Sequence, residues 1–272
     1  YSESKVLHDT FAAFRFRNWD YVFDWNDFPE IAKSFFTVTQ IEKTPSLQKS
    51  DLDEGVQACL AVFPPRTVIV EYGSSAGPVD FVRFLAEASK GCFYANFSPD
   101  LPDEFRFAGD PRLSEFWRAL FALACISETG LQNIAGPLAV DLSRNLKQFL
   151  YFWLRYDAFL ALYRNAAEQD LPTAQDAFVE NWKKAFSLEA PSRLYLFELD
   201  RSFPAMSRVQ AMEAALYVQE RLRTQYGNAW FSSSQCIVRL KDYWREGFRL
   251  GLNEILDDMN IKREQELVLS NE

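Results

Sequence analysis

The chain has 272 residues, 48% of them hydrophobic and 16% aromatic, with a formal net charge of −9 at pH 7. That apolar content supports a sizeable core and excludes a disordered chain. The acidic balance argues against a general nucleic-acid binder, whose phosphate contacts need clustered Lys and Arg, and no apolar run is long enough to span a bilayer, so no membrane partner is expected.

In chain order, residues 1–40 are aromatic and of mixed charge and read as two helical pieces separated near Asp27–Pro29. "EKTPSLQKSDLDEG" is polar and turn-rich and reads as a loop ending at Gly55. In "VQACLAVFPPRTVIVEY", two β-prone runs flank Pro64-Pro65, with β-branched Val68, Ile69 and Val70 in the second; this is the best strand pair in the chain. "GSSAG" is a turn, and Pro78 suits the first turn of a helix over 79–91. A loop with three prolines, "FSPDLPDEFRFAGDP", leads to a buried helix, "RLSEFWRALFALACISE". A long aromatic helix follows, "NLKQFLYFWLRYDAFLALYRNAAEQD", and then an amphipathic one, "PTAQDAFVENWKKAFSL". Another long helix, "AMSRVQAMEAALYVQERLRTQYG", closes at Gly227, a residue suited to a left-handed C-terminal position. Ser232–Ser234 read as the cap of a helix ending near Gly247, with a short final helix beyond it and a tail over 261–272. The expected fold is mainly α (α+β), one helical domain over 1–272: N-terminal helices and loop (1–55), a β element (56–72), a helical core (78–260) and the tail.

The four cysteines, Cys59, Cys92, Cys125 and Cys236, form no CxxC pair. They read as free, mostly buried thiols in a reducing, cytoplasmic compartment, and no secretory signal pattern is evident. His8 is the single histidine, so a zinc site with two imidazoles from this chain is impossible, and no short cysteine spacing offers a thiolate site. His8 itself reads as structural or surface-exposed.

The stretches "TVIVEYGSSAGPVDFVRFLAEASKG", "SPDLPDEFRFAGDPRLSEFWRALF" and "LRTQYGNAWFSSSQCIVRLKDYWREG" occur in an order that resembles the oligopeptidase-like zinc metallopeptidases of the gluzincin group, over roughly residues 28–260. In that group a hairpin and a Gly-rich turn lead into a helix bearing His-Glu-x-x-His, and a later helix supplies a glutamate as third ligand. The resemblance puts Ala86 and Lys90 at the two histidine positions, Glu87 at the general base and Glu115 at the third ligand. The tyrosine that donates to the developing oxyanion falls on or near Arg208, and a following arginine falls on Gln210. Two of three ligands are therefore absent, and an ammonium stands where a dication would sit, so Coulomb repulsion opposes metal entry. Lys90 is expected to replace the metal electrostatically by pairing with Glu115, which would otherwise be a costly buried carboxylate.

The resemblance implies no cofactor, no zinc and no peptidase activity. It matches only the C-terminal half of those enzymes, which implies an exposed cleft wall and hence a protein partner, such as the missing helical half as a separate chain, or self-association. The strand near Val68, Ile69, Val70 and Glu71 is expected to offer an edge to an extended peptide. The competing reading is a hydrolase of different chemistry, using Glu87 and Glu115 as a carboxylate pair; Lys90 nearby opposes the raised pKa that such a pair needs. The aromatic runs read as core rather than as base-stacking platforms. "GSSAG" lacks a phosphate-loop ending, and neither of its serines has a histidine nearby to act as base.

Overall fold

In a computed structural model of the protein, the residues described are 26–50, 57–73, 77–190, 192–201 and 204–261. His8, the first helical piece, Ser74, Ser75 and the tail beyond Ile261 lie outside them. The chain is mainly α with one three-stranded sheet, as the sequence implies. No helix among the described residues is long and apolar enough to cross a membrane.

Helix α1 (Phe28–Val38) precedes the strands β1 (Ser46–Lys49), β2 (Gln57–Phe63) and β3 (Thr67–Tyr72). β2 and β3 form the expected hairpin, antiparallel with Cys59 opposite Val70 and Leu60 opposite Ile69, and joined through the cis Pro64-Pro65 bond. β1 lies in the segment read as loop: "SLQK" is polar and mostly exposed, and it becomes a strand only because β3 offers it a parallel partner, Leu47 opposite Val70. The strand order is β1-β3-β2. This corrects the expectation of a binding edge at Val68–Glu71, because that strand is the middle one and β1 and β2 occupy its two backbone edges.

The next helix, α2 (Pro78–Ala95), starts where Gly77 takes φ 95° and Pro78 fills the first turn. It does not stop at Gly91. A Cβ at Gly91 would lie 2.7 Å from Pro45 Cγ and 3.1 Å from Val70 Cγ2, so the missing side chain is what lets α2 lie against the sheet. Short α3 (Glu104–Phe107) interrupts the proline-rich loop and leads to α4 (Pro111–Cys125). Asp110 caps α4 by accepting from the Arg112 amide at 3.0 Å and also accepts the Leu252 amide at 3.1 Å, tying α4 to the last helix.

The remaining helices are α5 (Glu128–Ala135), α6 (Ala139–Gln169), α7 (Ala174–Phe186), α8 (Tyr195–Arg201), α9 (Ala205–Tyr226), α10 (Ser234–Arg245) and α11 (Leu252–Asp258). α3, α5 and α8 are additions to the sequence reading. Ser233 caps α10, as expected of the serine cluster.

The main core joins α1, α2, α4, α9, α10 and α11 around Phe93, Trp117, Phe121 and Trp244, with Trp117 and Trp244 edge to face at 5.7 Å. A second cluster, including Phe159, Tyr163, Phe178 and Trp182, joins the C-terminal half of α6 to α7. Most of the aromatic mass among the described residues is thus consumed in packing. The four cysteines are free, and all but the half-buried Cys59 are buried.

Candidate functional site

Helices α2 and α4 pack face to face. On α2, Ala86 and Lys90 are one turn apart and therefore share a face, with Glu87 beside them. On α4, Glu115 and Arg118 are likewise one turn apart. The packing brings the Lys90 ammonium to 2.7 Å from Glu115 Oε1, the contact expected from the sequence. The sequence reading overlooked Arg118, which proves central. Its Nε donates to Glu87 Oε1 at 2.7 Å and its Nη1 to Glu115 Oε2 at 3.3 Å. The second oxygen of Glu87 accepts the backbone N–H of Cys59 at 3.1 Å. Each of the four carboxylate oxygens thus has a donor, in a run from Lys90 through Glu115, Arg118 and Glu87 to strand β2.

The network is poorly exposed: side-chain accessibility is 20% for Lys90, 16% for Glu115 and 14% for Glu87. Two cations balance two anions, which is how charges survive at that depth. Burial pushes the Glu115 carboxyl up, but Arg118 and Lys90 outweigh it and hold it below its ordinary value. Burial likewise pushes the Lys90 ammonium down, and Glu115 and Glu87 reverse this to hold it above its ordinary value. A carboxylate pair acting as general acid and base needs one member held protonated; Glu115 is displaced the other way. The Cys59 thiol, beside Glu87, is pushed up to about 12 by burial and by that carboxylate, so it is no thiolate nucleophile.

These residues do not fit a zinc ion. Ala86 has no donor atom, Lys90 brings a positive charge, and Glu115 already bonds two cationic groups. Among the described residues, no group of three or more His, Cys, Asp or Glu side chains could hold a metal.

Glu115 and Arg118 also line a cavity of about 540 Å³ between α2, α4, α6 and α9. Ala86 opens onto it from α2 and Arg208 from α9. Arg208 donates through Nε to Asp157 Oδ1 on α6 at 2.9 Å, and its Nη2 bonds the same oxygen. Arg208 therefore does reach the candidate site, as a salt-bridged guanidinium. Gln210 is not among the lining residues.

Arg118 was legible in principle, since it lies one helical turn beyond Glu115. Asp157 carried no sequence signal, because 51 positions separate it from Arg208.

The backbone edge beside the site belongs to β2. Its Cys59 amide points out of the sheet and is taken by Glu87. Leu60, Val62 and Phe63 follow it along the strand, between 40% and 60% exposed.

No family model matches this sequence, and no curated protein matches it.

Proposed function

We propose that this protein is a non-catalytic, metallopeptidase-like binding protein or complex subunit that works without zinc. One observation carries the reading. Of the positions that a gluzincin would use for two imidazoles, a base and a carboxylate ligand, Lys90, Glu87 and Glu115 are joined here through Arg118 in one run of ion pairs, and the fourth, Ala86, has no donor atom. An ammonium and a guanidinium neutralise the carboxylates that a dication would otherwise neutralise, so the helix pair keeps its packing without metal chemistry.

A binding role is supported by the exposed apolar side chains of the outer strand β2 and by Phe107, 51% exposed, whose ring is 6.3 Å from that of Phe63. An extended segment would add to β2, not to the enclosed β3, with its register set beyond Cys59 because Glu87 holds that amide.

The test combines elemental analysis, a quenched peptide library with and without added zinc, and sedimentation velocity. Expected are no stoichiometric zinc, no chelator-sensitive cleavage, and self-association or assembly with a partner chain. Chelator-sensitive hydrolysis of any peptide would overturn the non-catalytic reading.

A further inference from the structure

The cavity beside the charge network has features that the network does not account for. At about 540 Å³ it falls within the range of small-molecule sites, about 300–1,000 Å³. Its wall is of mixed chemistry. Ala119, Ala122 and Ile126 from the α4 side, Leu146 and Phe149 from α6, and Met212 from α9 form an apolar chamber. Arg118 and Arg208 line the cavity as well, together with the carboxylates of Glu115 and Asp157, and Arg83 lies over the rings of Phe149 and Trp153, 5.8 and 4.9 Å from their centroids. Each of the three arginines has a carboxylate partner: Arg83 has Asp80 at 3.6 Å, Arg118 has Glu87 and Glu115, and Arg208 has Asp157.

The two inner guanidinium groups are not exhausted by their protein bonds. Arg118 spends Nε and Nη1 on Glu87 and Glu115, and Arg208 spends Nε and Nη2 on Asp157. Nη2 of Arg118 and Nη1 of Arg208 have no protein acceptor among the described residues. The side chains of Arg118 and Arg208 are 30% and 26% exposed, and both line the cavity. Arg208 adds to the pull that keeps the Glu115 carboxyl low, and Asp157 to the pull that keeps the Arg118 guanidinium high. Each guanidinium is held in place by a carboxylate while a further N–H remains to donate, an arrangement suited to receiving an anionic oxygen.

We infer that this cavity binds an apolar monocarboxylic acid of medium chain length, with the carboxylate accepting from Arg118 and Arg208 and the hydrocarbon filling the chamber bounded by Ala122, Phe149 and Met212. The inference goes beyond the binding role proposed above and does not depend on it, since it invokes neither metal, peptide nor partner chain.

Calorimetric titration of the whole chain with decanoate, decanol and decylamine tests it. Saturable, one-to-one binding of decanoate is expected, with the alcohol and the amine weaker by about tenfold or more, because a charge-assisted hydrogen bond is lost or replaced by repulsion. Arg208→Gln should weaken decanoate while leaving decanol unchanged. Ala122→Phe should block both ligands by filling the chamber, with circular dichroism confirming that each variant is folded. Absence of decanoate binding to the unmodified protein at millimolar concentration, or equal affinity for the acid, alcohol and amine, would overturn the assignment whatever the variants do.

Discussion

Replacing Lys90 by Met is the most direct probe of the charge network. The substitution removes the 2.7 Å ammonium–Glu115 bond but keeps the aliphatic stem. Stripping the last partner from a buried charge costs about 3–5 kcal/mol, and losing a single charged hydrogen bond costs about 1.5–3 kcal/mol. Glu115 keeps Arg118 at 3.3 Å, so the cost belongs near the lower range, about 2–3 kcal/mol. At about 2–4 °C per kcal/mol for chains approaching this size, the midpoint of thermal unfolding falls by about 5–10 °C. Replacing Glu115 by Met as well removes the stranded carboxylate, and Arg118 still has Glu87 at 2.7 Å. The double variant should therefore be more stable than Lys90→Met alone, with a coupling energy of at least about 1.5 kcal/mol in a double-mutant cycle read by urea denaturation. If the double variant instead loses the sum of the two single losses to within about 0.5 kcal/mol, the two residues are independent and the electrostatic account of the site fails.

Arg118→Met should destabilise more than Lys90→Met, by about 3–5 kcal/mol, because it strips one partner from each of two buried carboxylates; a smaller loss in the same denaturation assay would demote Arg118 from its bridging role. Acid titration has a defined sign. The depressed Glu115 value means that its contribution is complete above the ordinary carboxylate range and disappears as pH falls through the lowered value. The gap in unfolding midpoint between the natural protein and Glu115→Gln should accordingly stay flat near neutrality and close only in strong acid; closure near neutral pH would contradict this. For Lys90, held above its ordinary value, the contribution is complete below the usual lysine range and fades only as pH rises through the raised value. Finally, Ala86→His with Lys90→His places two imidazoles on the α2 face toward Glu115. One equivalent of zinc by elemental analysis is expected, with about 2.7 kcal/mol of added stability at a hundredfold excess of metal over its Kd. A folded variant that takes up no zinc would show that the helix pair lacks metal-site geometry.

The candidate site was partly legible because much of it is written at helical spacing. Ala86, Glu87 and Lys90 are consecutive or one turn apart, and the helix holding Glu115 declares itself by its apolar periodicity. Their meeting across α2 and α4 was suggested by motif order, and the Lys90–Glu115 distance agrees with it. Arg118 was overlooked because an arginine on an amphipathic helix usually reads as a solvated side chain. The misplaced binding edge has a different origin. "SLQK" carries no strand pattern, so β3 read as an outer strand until β1 was found beside it.

By itself the sequence determined the helical class, the hairpin around Pro64-Pro65, the free cysteines and the insufficiency of one histidine for an imidazole zinc site. These follow from composition, local periodicity and residue chemistry, which do not depend on what packs against what. Tertiary structure alone decided the rest: that β3 lies in the middle of the sheet, that Arg118 ties two carboxylates together, and that Arg208 reaches Asp157 at the rim of a cavity shared with Glu115. Each of those facts joins residues from different elements, and only the packing of side chains across helices and strands fixes such distances.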